Sequence, residues 1–176
     1  CFGTCERSVN HTRSALPIGV FDSGVGGLTV LRALEAALPD EHFIYLGDTA
    51  RLPYGTKSEG TVRRYAEQAA DRLVVRGVKL LVIACNTASA VALGHLRQHF
   101  APLPVVGVVE PGAEAACERS ATGSIAVIGT ESTIGGGAYQ AAIARRRPGA
   151  RVRAAATPLF VALAEEGWTD GEVTRG

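Results

Sequence analysis

The chain has no methionine, a single tryptophan and four cysteines in 176 residues, and its charges nearly cancel. Because methionine is missing even at position 1, the sequence reads as a fragment or an unusual reading-frame start. The sparse cysteines (Cys1, Cys5, Cys85, Cys117) exclude a disulfide framework and suit a reducing compartment. Eighteen Lys and Arg stand against seventeen Asp and Glu, a formal charge of +1, so nothing draws the chain in bulk to nucleic acid or anionic lipid. A small neutral or zwitterionic partner is the better match. Apolar runs stop far short of the ~20 residues of a membrane helix, and no membrane association is expected. The leader, residues 1–17, lacks the apolar core of a signal peptide. A cytoplasmic protein with a disordered leader is therefore expected. Cys1, Cys5 and His11 lack the spacing and fourth ligand of a metal site, so no metal is assigned, and Asn10-His11-Thr12 is a glycosylation pattern without a secretory context.

What is present is a strong alternation of short apolar runs and helical stretches. LLVIACNTASA, Leu80 to Ala90, is the centre of it. Leu80 to Ala84 reads as a strand buried on both faces, which ends at Cys85-Asn86-Thr87 where a helix begins and runs to about Phe100. Before it come a strand at Ile18 to Asp22, a glycine turn and a helix at Leu28 to Leu38, and a strand at His42 to Leu46 with a long turn-rich loop. A helix capped by Ser58 follows, its stripe of Val62, Ala66, Ala69 and Leu73 opposite a solvated face of Arg63, Arg64, Glu67 and Asp71. After it come strands at Val105 to Val109, Ser124 to Ile128 and Arg151 to Ala156. Helices are expected from about Ala113 to Arg119 and Ala138 to Arg147, and a last element starts at Pro158. This order predicts an α/β fold of open parallel sheets with helices on both faces.

In such a sheet, ligands gather at the carboxyl ends of the strands. Those ends carry Asp22-Ser23, Cys85-Asn86-Thr87 and Thr130 with Thr133, small polar groups far apart in sequence that the topology brings to one edge. Cys85 at a helix N-terminus is a candidate reactive thiol, expected to be partly exposed with a lowered pKa, although Asp22 opposes this. The competing chemistries lack their marks. A dinucleotide fingerprint from Gly24 needs glycine where Thr29 stands, and no Walker lysine follows. A phosphatase loop needs arginine where Val91 stands. A Cys-His hydrolase needs a partner histidine, and His42, His95 and His99 give no such signal; His95 and His99 read as surface residues. Taken singly, Asp22 and Tyr54-Gly55 also read as turn residues, Thr87 as a cap and Cys85 as core, and Arg145-Arg146-Arg147 suits the last turn of a helix.

Five ordered segments carry a resemblance: IGVFDSGVGGLTVL, YLGDTARLPYG, VIACNTASAVAL, PVVGVVEPGA and GTESTIGGGAY. Together they resemble the cofactor-independent glutamate racemases, over about Ile18 to Trp168. The resemblance implies two α/β domains, residues 18–110 for the first (incomplete) and 111–176 for the start of the second, and an enzyme that interconverts L- and D-glutamate for peptidoglycan without a cofactor. It implies two cysteines, one on each face of Cα, with Cys85 as the base for the D-enantiomer. Asp22 would tune that thiol and receive the substrate ammonium, with Ser23 beside it. Tyr54, Gly55, Asn86 and Thr87, with Thr130 and Thr133, would hold the carboxylates. Glu165, or Glu166 by a shift of register, matches a carboxylate that supports the opposite acid/base pair. The family's second motif, Gly-Cys-Thr-His, does not occur before Gly176, so the 176 residues alone are expected to be inactive. A binding fragment without chemistry and a racemase of a related amino acid such as aspartate are the alternatives. Glutamate is the expected partner, nucleic acid and membrane are not, and a homodimer is left open.

Overall fold

The computed structural model describes residues 15–175, apart from the side chains of Glu165 and Val173. The readings placed on Cys1, Cys5 and His11 lie outside the described residues. Four strands form a parallel sheet in the order β2-β1-β3-β4: β1 Ile18–Asp22, β2 Phe43–Gly47, β3 Leu80–Ile83 and β4 Val105–Gly107. Ile18 pairs with Phe43 on one side and with Leu80 on the other, and Leu81 pairs with Val105. Strand β1 is buried along its whole length because it has a neighbour on each side and helices above and below.

The pleat sorts the two faces. Ile18, Val20, Val82 and Ala84 turn to helix α1, Leu28–Ala37, through Val30, Leu31 and Leu34. Phe21, Leu81 and Ile83 turn the other way, to α2, Glu59–Val74, and to the helices that follow β3, α3 at Asn86–Val91 and α4 at Leu93–His99. Ser58 caps α2, its Oγ accepting the Thr61 N–H at 3.3 Å, and the buried stripe is Val62, Ala66, Ala69, Ala70 and Leu73. Full burial of Phe21, Leu73, Leu81, Ile83 and Leu96 contributes about 1.5–3 kcal/mol each.

A second parallel pair, β5 Ser124–Gly129 and β6 Arg151–Ala156, runs from Ser124↔Arg151 to Gly129↔Ala156. Helices α5, Val109–Arg119, and α7, Ala138–Arg146, cover one face through Val109, Ala113, Ile125, Ala142 and Ile143. Between β5 and α7 lies a short helix, α6 at Glu131–Gly135; after β6 come α8, Pro158–Glu165, and α9, Glu172–Arg175. Among the described residues no helix is long and apolar enough to cross a membrane.

Two local expectations are corrected. The helix after Cys85 is interrupted at Ala92, whose φ of −110° departs from helical geometry, and so becomes α3 and α4. Strand β4 stops at Gly107 and α5 begins at Val109, with Pro111 in its first turn, where the missing N–H has no helical partner to lose. The run Gly135-Gly136-Gly137 is the joint between α6 and α7, and Gly137 takes φ +65°, a left-handed conformation that glycine adopts without strain. The arginines after it are used inside the fold. Arg145 and Arg146 pair with Glu110, Arg146 also with Glu114, and Arg147 donates to the carbonyls of Cys117, Ser120 and Ala121 at the end of α5.

Candidate active site

Strand β1 delivers Asp22 into a buried position, and a buried carboxylate needs donors in place of water. It has them: Asp22 Oδ2 accepts the N–H groups of Gly27 at 2.9 Å and Gly24 at 3.1 Å, both from the turn that follows the strand. The Tyr45 hydroxyl, reaching over from β2, lies 3.4 Å from the same oxygen and 3.1 Å from Gly24 O, so its single proton serves both. Burial, then the charge and hydrogen bond of Asp22, push the Tyr45 phenol well above its ordinary value, which keeps it a neutral donor.

Cys85 caps α3. Its Sγ accepts the Ala88 N–H at 3.4 Å, and its S–H donates to Ser23 Oγ at 3.1 Å. The thiol is 5% exposed, and burial, the dominant cause, pushes its pKa up; Asp22's charge adds to the rise, while the bonds from Ser23 and Ala88 oppose it. A partly exposed, acidified thiol was the expectation, and the structure reverses both parts of it. The reason is that α3 has six residues and offers little dipole, whereas the packing around Cys85 removes its water.

Across from these groups, three hydroxyls close a ring. Thr87 Oγ1 lies 3.1 Å from Thr130 Oγ1 and 3.0 Å from Thr133 Oγ1, and the last two are 2.9 Å apart. Thr130 also caps α6, accepting the Thr133 N–H. The ring joins the carboxyl edge of the four-stranded sheet to the end of β5, so these strand ends do not share one sheet edge as expected but meet across two sheets. Asn86 is exposed, and its Oδ1 accepts the Tyr139 hydroxyl at 2.5 Å. A cleft of about 1070 Å³ opens between the sheets, lined by Asp22, Ser23, Cys85, Asn86, Thr87, Thr130, Thr133 and Tyr139, with Ile125, Val127, Phe160 and Glu166 completing its wall.

Tyr54 and Gly55 stand apart from that lining, in a short 3-10 turn behind the threonines. The Tyr54 hydroxyl donates to Asp48 Oδ2 at 2.5 Å, and Arg51 pairs with the same oxygen at 2.6 Å. Burial and Asp48 raise the Tyr54 phenol well above its usual range. Gly55 packs so tightly on Thr130 that a Cβ there would lie 2.3 Å from the Thr130 Cβ, and Ser132 Oγ sits 2.9 Å from the carbonyls of Gly55 and Lys57. The turn thus holds Thr130 in place. Glu165 ends α8, and its side chain lies outside the described residues, whereas Glu166 lines the cleft.

The site combines a thiol, a carboxylate and a hydroxyl ring around a cleft, a set suited to proton transfer on a small zwitterion with carboxylate arms. The sequence profile of the Asp/Glu/Hydantoin racemases matches residues 18–175. The chain belongs to that racemase family.

Glutamate racemase of Geobacter metallireducens is 60% identical over 156 residues, covering 89% of this chain and 57% of its own. That of Chlorobaculum parvum is 51% identical over 168 residues, covering 96% and 62%. Among solved structures, glutamate racemase from Francisella tularensis in complex with D-glutamate superimposes with a TM-score of 0.83 at 40% identity, over 90% of this chain and 59% of that one. A glutamate racemase isoform from Bacillus anthracis gives 0.85 at 38% identity, with the same coverage. These racemases have the two-domain α/β fold, and the chain spans less than two thirds of the length of each.

Three residues of the chain escape a reading of its sequence: Tyr45, Ser132 and Tyr139. Tyr45 lies within the apolar strand FIYLG and looks like core, Ser132 looks like an exposed helix residue, and Tyr139 follows a glycine run. Each acts across more than twenty residues of sequence, on Asp22, on Gly55 and on Asn86, and no local pattern signals such a contact.

Proposed function

We propose that this chain carries one half of the proton-transfer machinery of a glutamate racemase. The observation that carries the reading is the Cys85 thiol, bonded to Ser23 and electrostatically coupled to Asp22, on the wall of a cleft whose far side is the threonine ring. Glutamate binds with its ammonium at Asp22 and its carboxylates at the donors of Asn86, Thr87, Thr130 and Thr133, supported from behind by Tyr54 and Gly55. The Cys85 thiolate takes the α-proton of D-glutamate. The Cα–H electron pair moves into the α-carboxylate as an enediolate, and a second acid/base group returns a proton on the opposite face, giving L-glutamate. In the resemblance that group is a cysteine supported by Glu165, on a segment these 176 residues do not contain. No cofactor is needed in this reading, because the hydroxyl donors and the substrate's own ammonium, held at Asp22, stabilise the negative charge that develops.

The raised thiol pKa has a chemical use. The α-proton is very weakly acidic, and a more basic thiolate narrows the gap to it. Burial is the main cause of the raised thiol value, and pairing of the substrate ammonium with Asp22 cancels the charge that adds to it, so ionisation becomes easier once substrate is in place. Supply of D-glutamate to peptidoglycan in the cytoplasm belongs to the same reading, and the free thiols of Cys85 and Cys117 fit a reducing compartment.

The test is solvent exchange. With one base present, D-glutamate in D2O should lose its α-proton signal in the ¹H NMR spectrum while remaining the D-enantiomer, and Cys85→Ser should abolish the loss. Shifted glutamate resonances with no Cys85-dependent exchange would leave a binding fragment and overturn the role of the base.

A further inference from the structure

Away from the cleft, helices α2 and α4 present to each other two pairs of side chains at the spacing of one helical turn: Glu67 and Asp71 on α2, His95 and His99 on α4. None of the four lines the cleft. His95 Nε2 is hydrogen-bonded to Glu67 Oε2, and His99 Nδ1 lies 4.0 Å from that same oxygen. One ligand atom from each of Glu67, His95 and His99 falls within 4.8 Å of the others. The second nitrogen of His99, Nε2, faces Asp71 Oδ1 at 3.9 Å, and the His99 ring packs edge-on against Phe100 with ring centres 4.7 Å apart.

We propose that Glu67, His95 and His99 bind a divalent first-row transition cation of the zinc class, as a clasp between α2 and α4. Two imidazoles and one carboxylate select such an ion over Mg²⁺ or Ca²⁺, which take all-oxygen shells. Bonds of ~2.0–2.2 Å in tetrahedral geometry place ligand atoms about 3.4 Å apart, so atoms now up to 4.8 Å apart close by about 1.4 Å at most, while the hydrogen-bonded Glu67–His95 pair opens to admit the ion. These side chains are partly solvent-exposed and free to rotate that far, while the helices are fixed by the core beneath them. Asp71 supplies the supporting shell. Its Oδ1, 3.9 Å from His99 Nε2, is placed to accept the Nε2–H once the ring shifts toward the ion, which leaves Nδ1 facing Glu67 as the ligand nitrogen, the carboxylate–histidine–metal arrangement that orients a ligating ring. Water completes the coordination on the open side. The site owes nothing to the reading of the cleft and survives its failure.

Calorimetric titration of the 176-residue chain with ZnCl2 at pH 7.5, in a non-chelating buffer, tests this directly. The expected result is saturable binding of one Zn²⁺, with no comparable binding of Mg²⁺. A 100-fold excess of free Zn²⁺ over Kd should raise the melting temperature by about 5 °C or more, because the ion ties two helices together in the native state only. Asp71→Asn should weaken binding by roughly 10- to 100-fold. The double variant His95→Gln, His99→Gln should lose the binding while keeping its far-UV circular dichroism. Zinc binding that persists unchanged in the double variant, as thiol-held zinc would, overturns the proposal. So does the absence of saturable binding in the unaltered chain.

Discussion

Gly27 stands on Asp22: a Cβ at position 27 would lie 2.5 Å from the Cβ of Asp22 and 2.8 Å from its carboxyl carbon. The same residue donates its N–H to that carboxylate, so the start of α1 both crowds and fixes the charge. Gly27→Ala must push the helix or the carboxylate aside. The expected cost is about 1–3 kcal/mol of stability, as for other overpacked sites, together with loss of D-glutamate binding. Gly26→Ala is the matched control, since nothing lies within 4 Å of its Cβ position. It should stay within about 0.5 kcal/mol. Urea melts of both variants beside NMR titration with D-glutamate check this, and equal effects would show that the turn rather than the contact matters.

Cys85 is buried and its thiol is held in the protonated form, whereas Cys117 is more exposed. Without substrate, iodoacetamide at neutral pH should therefore modify Cys117 faster. Asp22→Asn removes one of the causes that raise the thiol, so the pH profile of Cys85 alkylation should move to lower pH in that variant. Mass spectrometry of the two cysteine peptides over pH 6 to 10 reads both effects. An unmoved profile would mean that Asp22's charge does not reach the thiol.

Alkaline pH should weaken the fold in a defined order. Cys85, Tyr45 and Tyr54 all have raised pKa values in the native state, so the unfolded chain releases protons that the folded chain retains. Stability is then full below the unfolded thiol value of ~8.5, and falls as pH rises past it and again past the unfolded tyrosine value of ~10. Urea midpoints between pH 7.5 and 10.5 should show the decline. Cys85→Ser should remove its first part and Tyr45→Phe should reduce its second.

The order of elements and the edge that carries the site were legible because parallel strands buried on both faces must be continuous apolar runs, and β1 and β3 are. The convergence of Asp22 and Cys85 follows from that topology, whereas Thr130 follows β5 of the separate sheet and reaches them only through packing between the two sheets. What was not legible depends on packing between segments distant in sequence. The protonation of Cys85 is set by what covers it, and a six-residue α3 cannot outweigh that. The break at Ala92 has no proline or glycine at that position to announce it. His95 and His99 read as plain surface residues because Glu67 and Asp71, 28 residues earlier in each case, are what give them partners.

The threonine ring makes the sharpest demand on one side chain. Three hydroxyls whose oxygens are 2.9, 3.0 and 3.1 Å apart satisfy one another as donor and acceptor in turn, in a pocket where Thr87 and Thr133 are buried. Thr87 is the member contributed by the four-stranded sheet, so its hydroxyl is also what links that sheet to α6. Thr87→Val keeps the shape and deletes the hydroxyl. The remaining pair, Thr130 and Thr133, can still bond to each other but each loses a partner, an expected cost of about 1–3 kcal/mol. A carboxylate bound there would lose one of its donors as well, so D-glutamate affinity should fall along with stability. Thr87→Ser retains the oxygen and gives up only a methyl group, so it should keep most of the affinity at a smaller stability cost. Melting curves and NMR titrations of the two variants separate the contributions. If Thr87→Val binds D-glutamate as tightly as the unaltered chain, the hydroxyl does not position the ligand, and the ring is a structural joint between the two sheets.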